Sequence, residues 1–442
     1  MTTQRTVLFF LLMLFFSCQT NENFPPRNFY LGGIAVKEAH LDDWTNTFTR
    51  VGMNTVEVTV YAKQWRWYWD SIEEDTQPDG VLNEIRAAKA SGLKVVMVLR
   101  IQLQHWFKSS EFKWHGMIMP LTDAALQSWF DKYEAYCLKW AKICETEGVD
   151  ILVLGSEMNS LSSTVPLTEL PILHQYYNNL KAQEDFERKA LKYEAVLKDK
   201  QILKEDEALS VYLNRKIQTQ YHWGQLVTFA DCDDPLFLVN ERRKVVKKRW
   251  IQLIKNSRKL FAGQMTYAAN FDNYQEVDFW GHLDFIGINA YFPLRKVTRQ
   301  PLEEAVIKKE FEKNWQTVFK NIKGFQKEKN ITDKPILFTE LGYTNLLDCT
   351  IESWKGDGFS IAGEGEEEKL IVWRDQPKFP QERIWAVESL HKTVQQMDVP
   401  LAGILYWKLT THEYLLKEEP FALHFHQTSM DRLQDALVNF LK

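Results

Sequence analysis

Two glutamates stand where a carboxylate is costly to keep unless it has a partner or a task. Glu157 closes the apolar run VDILVLGSE (149–157), and Glu340 follows the apolar stretch of KPILFTELGY (334–343). A carboxyl held neutral can lend a proton and later take one back, and an ionised carboxylate can attack an electrophilic carbon. A pair with separated pKa values divides those two roles. Other polar or aromatic groups close similar runs: Arg100 after LKVVMVLRI begins to end, Asn270, Asn289, Tyr291 and Trp407, with Trp114 and His115 a little downstream of Arg100. Tyr291 and Trp407 also suit a core, and Asn270 and Asn289 also suit turns. No G-x-S-x-G, phosphate-binding G-x-x-x-x-G-K-[ST] or H-E-x-x-H pattern is present. His412-Glu413 lacks a second histidine, and His424 with His426 lacks a third ligand, so neither a metal nor an organic cofactor is implied.

The elements that must position these groups alternate along the chain. Short apolar runs at 29–36, 54–61, 93–101, 149–157, 261–270, 283–292, 334–343 and 401–409 read as strands, and each precedes a stretch with helical spacing. One helix carries Leu126, Trp129, Phe130, Tyr133, Cys137, Trp140 and Ile143 on one stripe, and the closing one carries Met430, Leu433, Leu437 and Phe440. Eight strand-helix units in this order predict an α/β fold, a (β/α)8 (TIM) barrel whose C-terminal strand ends form the active face. An open doubly wound sheet would want a Gly-rich first turn, which is absent. Strands about 4.8 Å apart and tilted about 36° give a barrel radius near 7.5 Å. Glutamates ending strands four and seven would then bring their carboxyls to roughly 6 Å, nearer the 5–5.5 Å of retaining than the spacing of most inverting glycosidases.

Within that arrangement the segments WFDKYEAYCLKWAKICETEGVDILVLGSEM, LFAGQMTYAANF, FWGHLDFIGINAYFPL and KPILFTELGY resemble glycoside hydrolase family 113 of clan A, a family of largely endo-β-mannanases. The resemblance implies that Glu157 is the acid/base and Glu340 the nucleophile of a retaining hydrolase acting on a β-linked polysaccharide or oligosaccharide, with β-1,4-mannan foremost. It also implies that Tyr291 hydrogen-bonds the nucleophile and that Trp407 floors the site under the sugar being cleaved. Many clan members carry Asn before the acid/base; Ser156 stands there instead, a departure at the usual contact to the sugar 2-hydroxyl. A clan A enzyme with another β-linked substrate and a glycan-binding barrel without catalysis stay open as alternatives.

Two stretches break the rhythm. Residues about 171–247 exceed one helix and carry a charged run with a thin apolar face of Phe186, Tyr193, Val196 and Leu197. They read as a helical insertion between strands four and five that rests on the barrel, with Tyr221 and Trp223 as its candidate sugar contacts. The other, GDGFSIAGEGEEEK (356–369), reads as a Gly- and Glu-rich loop.

At the N-terminus, Arg5 precedes the apolar run Val7–Phe16 and then Ser17-Cys18. That run is shorter than the roughly 20 residues of a membrane span and has the form of an export signal. Cysteine after a small residue resembles a bacterial lipobox. The expected organisation is a signal peptide at 1–17, a lipidated Cys18 opening a polar tether at 18–28, and the barrel at 29–442, held on a bacterial membrane at its periplasmic face or the cell surface. A net charge of -5 provides no basic field for nucleic acid. Sixteen tryptophans in a chain that is 13% aromatic suit both a core and stacking on sugar faces. Cys137 and Cys144, about 10 Å apart on one helix, are too distant to pair; Cys232 and Cys349 can pair only if the fold joins them.

Overall fold

The computed structural model describes residues 29–35, 41–74, 79–106, 113–163, 180–213, 235–298, 303–411, 419–424 and 432–442. The signal segment, Cys18 and the tether, with Tyr221, Trp223, Cys232, His412, Glu413 and His426, lie outside these residues.

Eight strands, Tyr30–Ala35, Thr55–Gln64, Lys94–Leu103, Ile151–Ser156, Gln264–Asn270, Ile286–Asn289, Ile336–Leu341 and Leu401–Thr410, are referred to below by their order. Each pairs in parallel with the next, and strand eight pairs with strand one, so the sheet closes into a barrel. Closure follows from side-chain alternation. On strand three Val96 and Val98 point into the barrel, and on strand four Ile151 and Val153 do the same, joined there by Leu337 and Leu405. Their neighbours Val95, Met97, Leu152 and Leu154 belong to the layer between sheet and helices. Strands apolar on both faces must be covered on both, which a closed barrel within a helical coat achieves.

The coat forms where the spacing demands it. Helix Asp123–Glu147 starts on Thr122, whose hydroxyl accepts from the Ala125 N–H at 3.1 Å, and stops at Gly148 with φ 68°. Its stripe of Leu126, Trp129, Phe130, Tyr133, Cys137 and Trp140 is fully buried, each large side chain contributing roughly 1.5–3 kcal/mol. Cys137, Cys144 and Cys349 are buried free thiols.

Three features differ from the expectation. Strand five is followed by two short 3-10 turns, Tyr274–Glu276 and Trp280–His282, in place of an α-helix. Buried Tyr274, Val277, Phe279 and Trp280 cover the barrel there with aromatic bulk. The fourth outer helix runs unbroken from Pro235 to Arg258, so the boundary at 247 falls inside a helix. Its Trp250 packs on Phe130 and Tyr133 of the helix before strand four. Finally, the Gly- and Glu-rich stretch forms an antiparallel hairpin, Phe359–Ala362 with Lys369–Val372. The helices Leu180–Leu191 and Glu194–Asp199 rest on that hairpin: Ala190, Leu197, Leu203, Leu209 and Leu213 bury with Phe359 in one small cluster. The two interruptions of the barrel rhythm thus support each other.

Candidate active site

Glu157 and Glu340 both follow a shift in strand register. Val153 pairs with Thr266, but Ser156 pairs with Ala268, leaving one extra residue on strand four. Ile288 pairs with Phe338, but Asn289 pairs with Glu340, leaving one extra residue on strand seven. Such bulges re-aim side chains at barrel rims. On strand seven, alternation from inward Leu337 would turn Glu340 outward, and the extra residue reverses it. At Glu157 the backbone adopts φ 54°, the left-handed region, a conformation that non-glycine residues hold only where the surroundings over-determine it. Its N–H donates to the Ala268 carbonyl at 2.8 Å.

Glu340 is 3% exposed. Tyr291 donates its hydroxyl to Glu340 Oε2 at 2.5 Å. Arg100 donates to Glu340 Oε1 from across the barrel. Alternation explains the reach: Arg100 continues the inward series Val96, Val98 on strand three. The Arg100 guanidinium also lies 4.8 Å from the Trp407 ring centre, so Trp407, inward after Leu405 on strand eight, borders the same mouth.

Glu157 takes its contacts from a different set. Asn289 Nδ2 donates to Glu157 Oε1 at 2.9 Å and to Ser156 Oγ at 3.3 Å. Asn289 Oδ1 accepts from the Thr339 hydroxyl at 2.8 Å, which sets the amide orientation. Because Asn289 stands beside Glu340 in the sheet register and bonds to Glu157, a single side chain joins the surroundings of the two acids. Ser156 is fully buried under it. His115 Nε2 lies 3.4 Å from Glu157 Oε2. The turn bearing it fits because residue 116 is glycine: a Cβ there would meet the Glu157 carbonyl at 2.5 Å and the Trp114 ring at 2.1 Å. Trp114 meets His115 edge-on at 5.3 Å between centroids. Asn270 is the exception among the sequence candidates. It bonds to Asn159 at 3.3 Å, and none of the described hydrogen bonds joins it to either acid.

The electrostatics depart from the expectation of a neutral acid. Burial pushes the Glu157 carboxyl up, but His115, the charge of Arg100 and the Asn289 amide together outweigh it, and the carboxyl titrates below its ordinary range. Tyr291 is driven well above a free phenol by burial and by the Glu157 charge, so it stays a donor. Behind Arg100 stands a group that the sequence reading missed. Glu57, inward on strand two and 3% exposed, lies 3.9 Å from Arg100. Its signal was a lone acid amid the β-branched run of strand two. Among the described residues no cluster of His, Cys, Asp or Glu suits a metal ion; His424 instead contacts the Thr411 carbonyl at 3.1 Å.

A parallel barrel that places one buried and one half-buried carboxylate, a tyrosine and an indole around one C-terminal mouth has the makings of a glycosidase. The sequence profile of Glycoside Hydrolase Family 113 matches residues 37–165 and 216–374. The chain belongs to that family and is a glycoside hydrolase. The match skips the middle of the segment between strands four and five. Among solved structures it is similar to a family 113 β-1,4-mannanase described in complex, with TM-score 0.56 and 14% identity over 94% of this chain and 98% of that one. The β-mannanase AaManA from Alicyclobacillus acidocaldarius, solved with ManMIm, has TM-score 0.55 and 12% identity over 93% of this chain and 97% of that one. At such identities these likenesses speak for the fold. No match was found among curated proteins.

Proposed function

We propose that this hydrolase cleaves β-1,4-linked mannan or a related β-glycan by double displacement, with Glu340 as nucleophile and Glu157 as acid/base. The observation that carries the assignment is the asymmetry of the two acids. Glu340 is held by a guanidinium and a phenol, donors that favour a carboxylate ready to attack the anomeric carbon. Glu157 is held by an amide and a histidine, contacts that a bound sugar can displace. Removing the His115 contact while the glycan covers the mouth raises the Glu157 carboxyl toward the protonated form that protonates a leaving oxygen. The solved family 113 proteins named as β-mannanases support the substrate. Hydrolysis of a panel of β-linked polysaccharides tests it, with proton NMR of the first-formed anomer. Release of a β-anomer from mannan is expected, and an α-anomer appearing first would overturn the two-step mechanism.

The N-terminal pattern supports export and lipidation at Cys18, which would hold the barrel on a membrane facing its polysaccharide. Metabolic labelling with a palmitate analogue, lost in Cys18→Ala, checks this.

A further inference from the structure

The guanidinium of Arg100 has two carboxylate neighbours and only one of them is used in the mechanism above. Glu57 is its second. The series Thr55, Glu57, Thr59 faces inward on strand two, while Val56, Val58 and Val60 join the outer layer. Burying an acid there costs several kcal/mol unless it is compensated. Compensation comes from Arg100 at 3.9 Å and from the Thr59 hydroxyl, which donates to Glu57 Oε1 at 3.4 Å. Arg100 Nε has no hydrogen-bond partner among the described residues, so the placement of this side chain rests on its terminal nitrogen and on the Trp407 ring.

Resting on the assignment of Glu340 as nucleophile, we propose that Glu57 is a positioning residue that holds Arg100 against Glu340 and, through its own charge state, sets how much of that guanidinium Glu340 retains. A neutral Glu57 keeps its carbonyl dipole beside Arg100 at 3.9 Å and leaves the positive charge to Glu340. An ionised Glu57 competes for the same nitrogen and draws it from the nucleophile. Burial pushes the Glu57 carboxyl up to about 7 against the opposing pull of Arg100 and Thr59, so the exchange falls in the working range.

The groups facing Glu57 from the surrounding elements do not replace Arg100. A cavity of about 450 Å³ opens beside it, lined by Thr59, Tyr61, Glu84, Trp407, Lys408 and Glu419 among others. Lys408 is bound by Glu419. Glu84, from the helix Asp79–Ala90, is itself pushed up to about 7 by burial and adds no positive charge. Tyr291, on the far side of the barrel, stays neutral.

The test uses the full chain and a dinitrophenyl glycoside of the sugar selected by the panel above, because that leaving group needs no proton and removes Glu157 from the profile of kcat/KM. In the wild-type protein, kcat/KM is expected to fall as pH rises through about 7. Glu57→Gln, neutral at every pH, should keep most of the low-pH activity and show no fall in that window. Glu57→Leu, which leaves Arg100 no polar neighbour on strand two, should lose about tenfold at every pH while binding a substrate analogue with little change. An unchanged pH profile in Glu57→Gln, or wild-type kcat/KM in a folded Glu57→Leu, overturns the proposal. If Glu57→Leu does not fold, the Glu57→Gln profile decides alone. Glu340→Ala run beside them separates the two readings: if it stays active the nucleophile assignment is wrong, and if it is inactive while both Glu57 variants behave as wild type, only the role of Glu57 falls.

Discussion

Two buried arginines in this barrel each face a pair of carboxylates, and they are wired differently. Arg295, in the segment after strand six, donates to Asp348 Oδ1 and Glu382 Oε1 at 2.7 Å each and to the Thr350 hydroxyl at 3.1 Å. Glu382 further accepts from the Thr350 hydroxyl at 2.5 Å and the Asp348 N–H at 2.8 Å. Its oxygens are occupied by rigid backbone and side-chain donors, which suits a joint between the loop after strand seven and the helix Gln381–Met397. Arg100 instead serves Glu340 and Glu57 from one nitrogen, and Glu340 has only Tyr291 as its other side-chain donor among the described hydrogen bonds. A cluster whose lone pairs are filled holds a structure together; one that keeps lone pairs free at a concave mouth can act on something that enters it.

The sharpest way to break this comparison is to remove the acids themselves. Glu340→Ala and Glu157→Ala should each lose about 10³-fold in turnover while the protein stays folded. Azide should restore the first as a glycosyl azide of inverted configuration. Near-normal rates in either variant would remove the functional half of the contrast.

Arg295→Met and Arg100→Met then differ in their expected consequences. The first strands buried Asp348 and Glu382 and should cost about 3–5 kcal/mol of stability, read by denaturant unfolding, with activity per folded molecule retained. Arg100→Met, which also strands two buried acids, should in addition lose about 10²-fold in kcat/KM per folded molecule, a loss that Arg295→Met does not show. Equal effects on both quantities would show that the wiring does not distinguish them.

A smaller effect concerns the pH profile with a substrate whose leaving group needs the acid. The Glu157 carboxyl lies below its ordinary range, and His115 is the foremost of the groups that lower it. His115→Gln therefore raises it, the acid stays protonated to higher pH, and the alkaline limb of kcat/KM moves up. A limb that stays in place or moves down would show that His115 does not govern Glu157. The smallest change in turnover is expected from Phe359→Ala, which removes the ring stacked on Phe186 at 6.3 Å. It should expose residues 180–213 to limited proteolysis and alter product length on polymer, leaving a small aryl glycoside unaffected. Protease resistance equal to wild type would mean that the hairpin does not hold the inserted helices.

Most of the barrel was legible along the chain because its determinants are local. Apolar runs such as LKVVMVLRI and the stripe from Leu126 to Ile143 declare strand and helix through spacing alone, and eight such units in order admit few closures. The same logic placed Glu157, Glu340, Tyr291 and Trp407 at one mouth. It misread the segment after strand five, where buried rings in short turns replace a helix, because bulky aromatics satisfy coverage without helical periodicity. It also read the Phe359–Val372 stretch as a loop, because its pairing partner and the inserted helices that cover it lie far off in sequence.

What the chain alone determined is therefore which residues can meet, through strand order and alternation. Only the tertiary structure decided how they meet. The extra residues on strands four and seven turn the two glutamates, and a bulge leaves no periodic trace. Arg100 and Glu340 are separated by 240 positions, and Glu57 joins them from a third strand. The lowered Glu157 carboxyl, where a raised one was expected, has the same origin. A carboxyl's titration is set by the sum of burial and the charges within a few ångströms, and those neighbours, His115, Arg100 and Asn289, come from three other parts of the barrel.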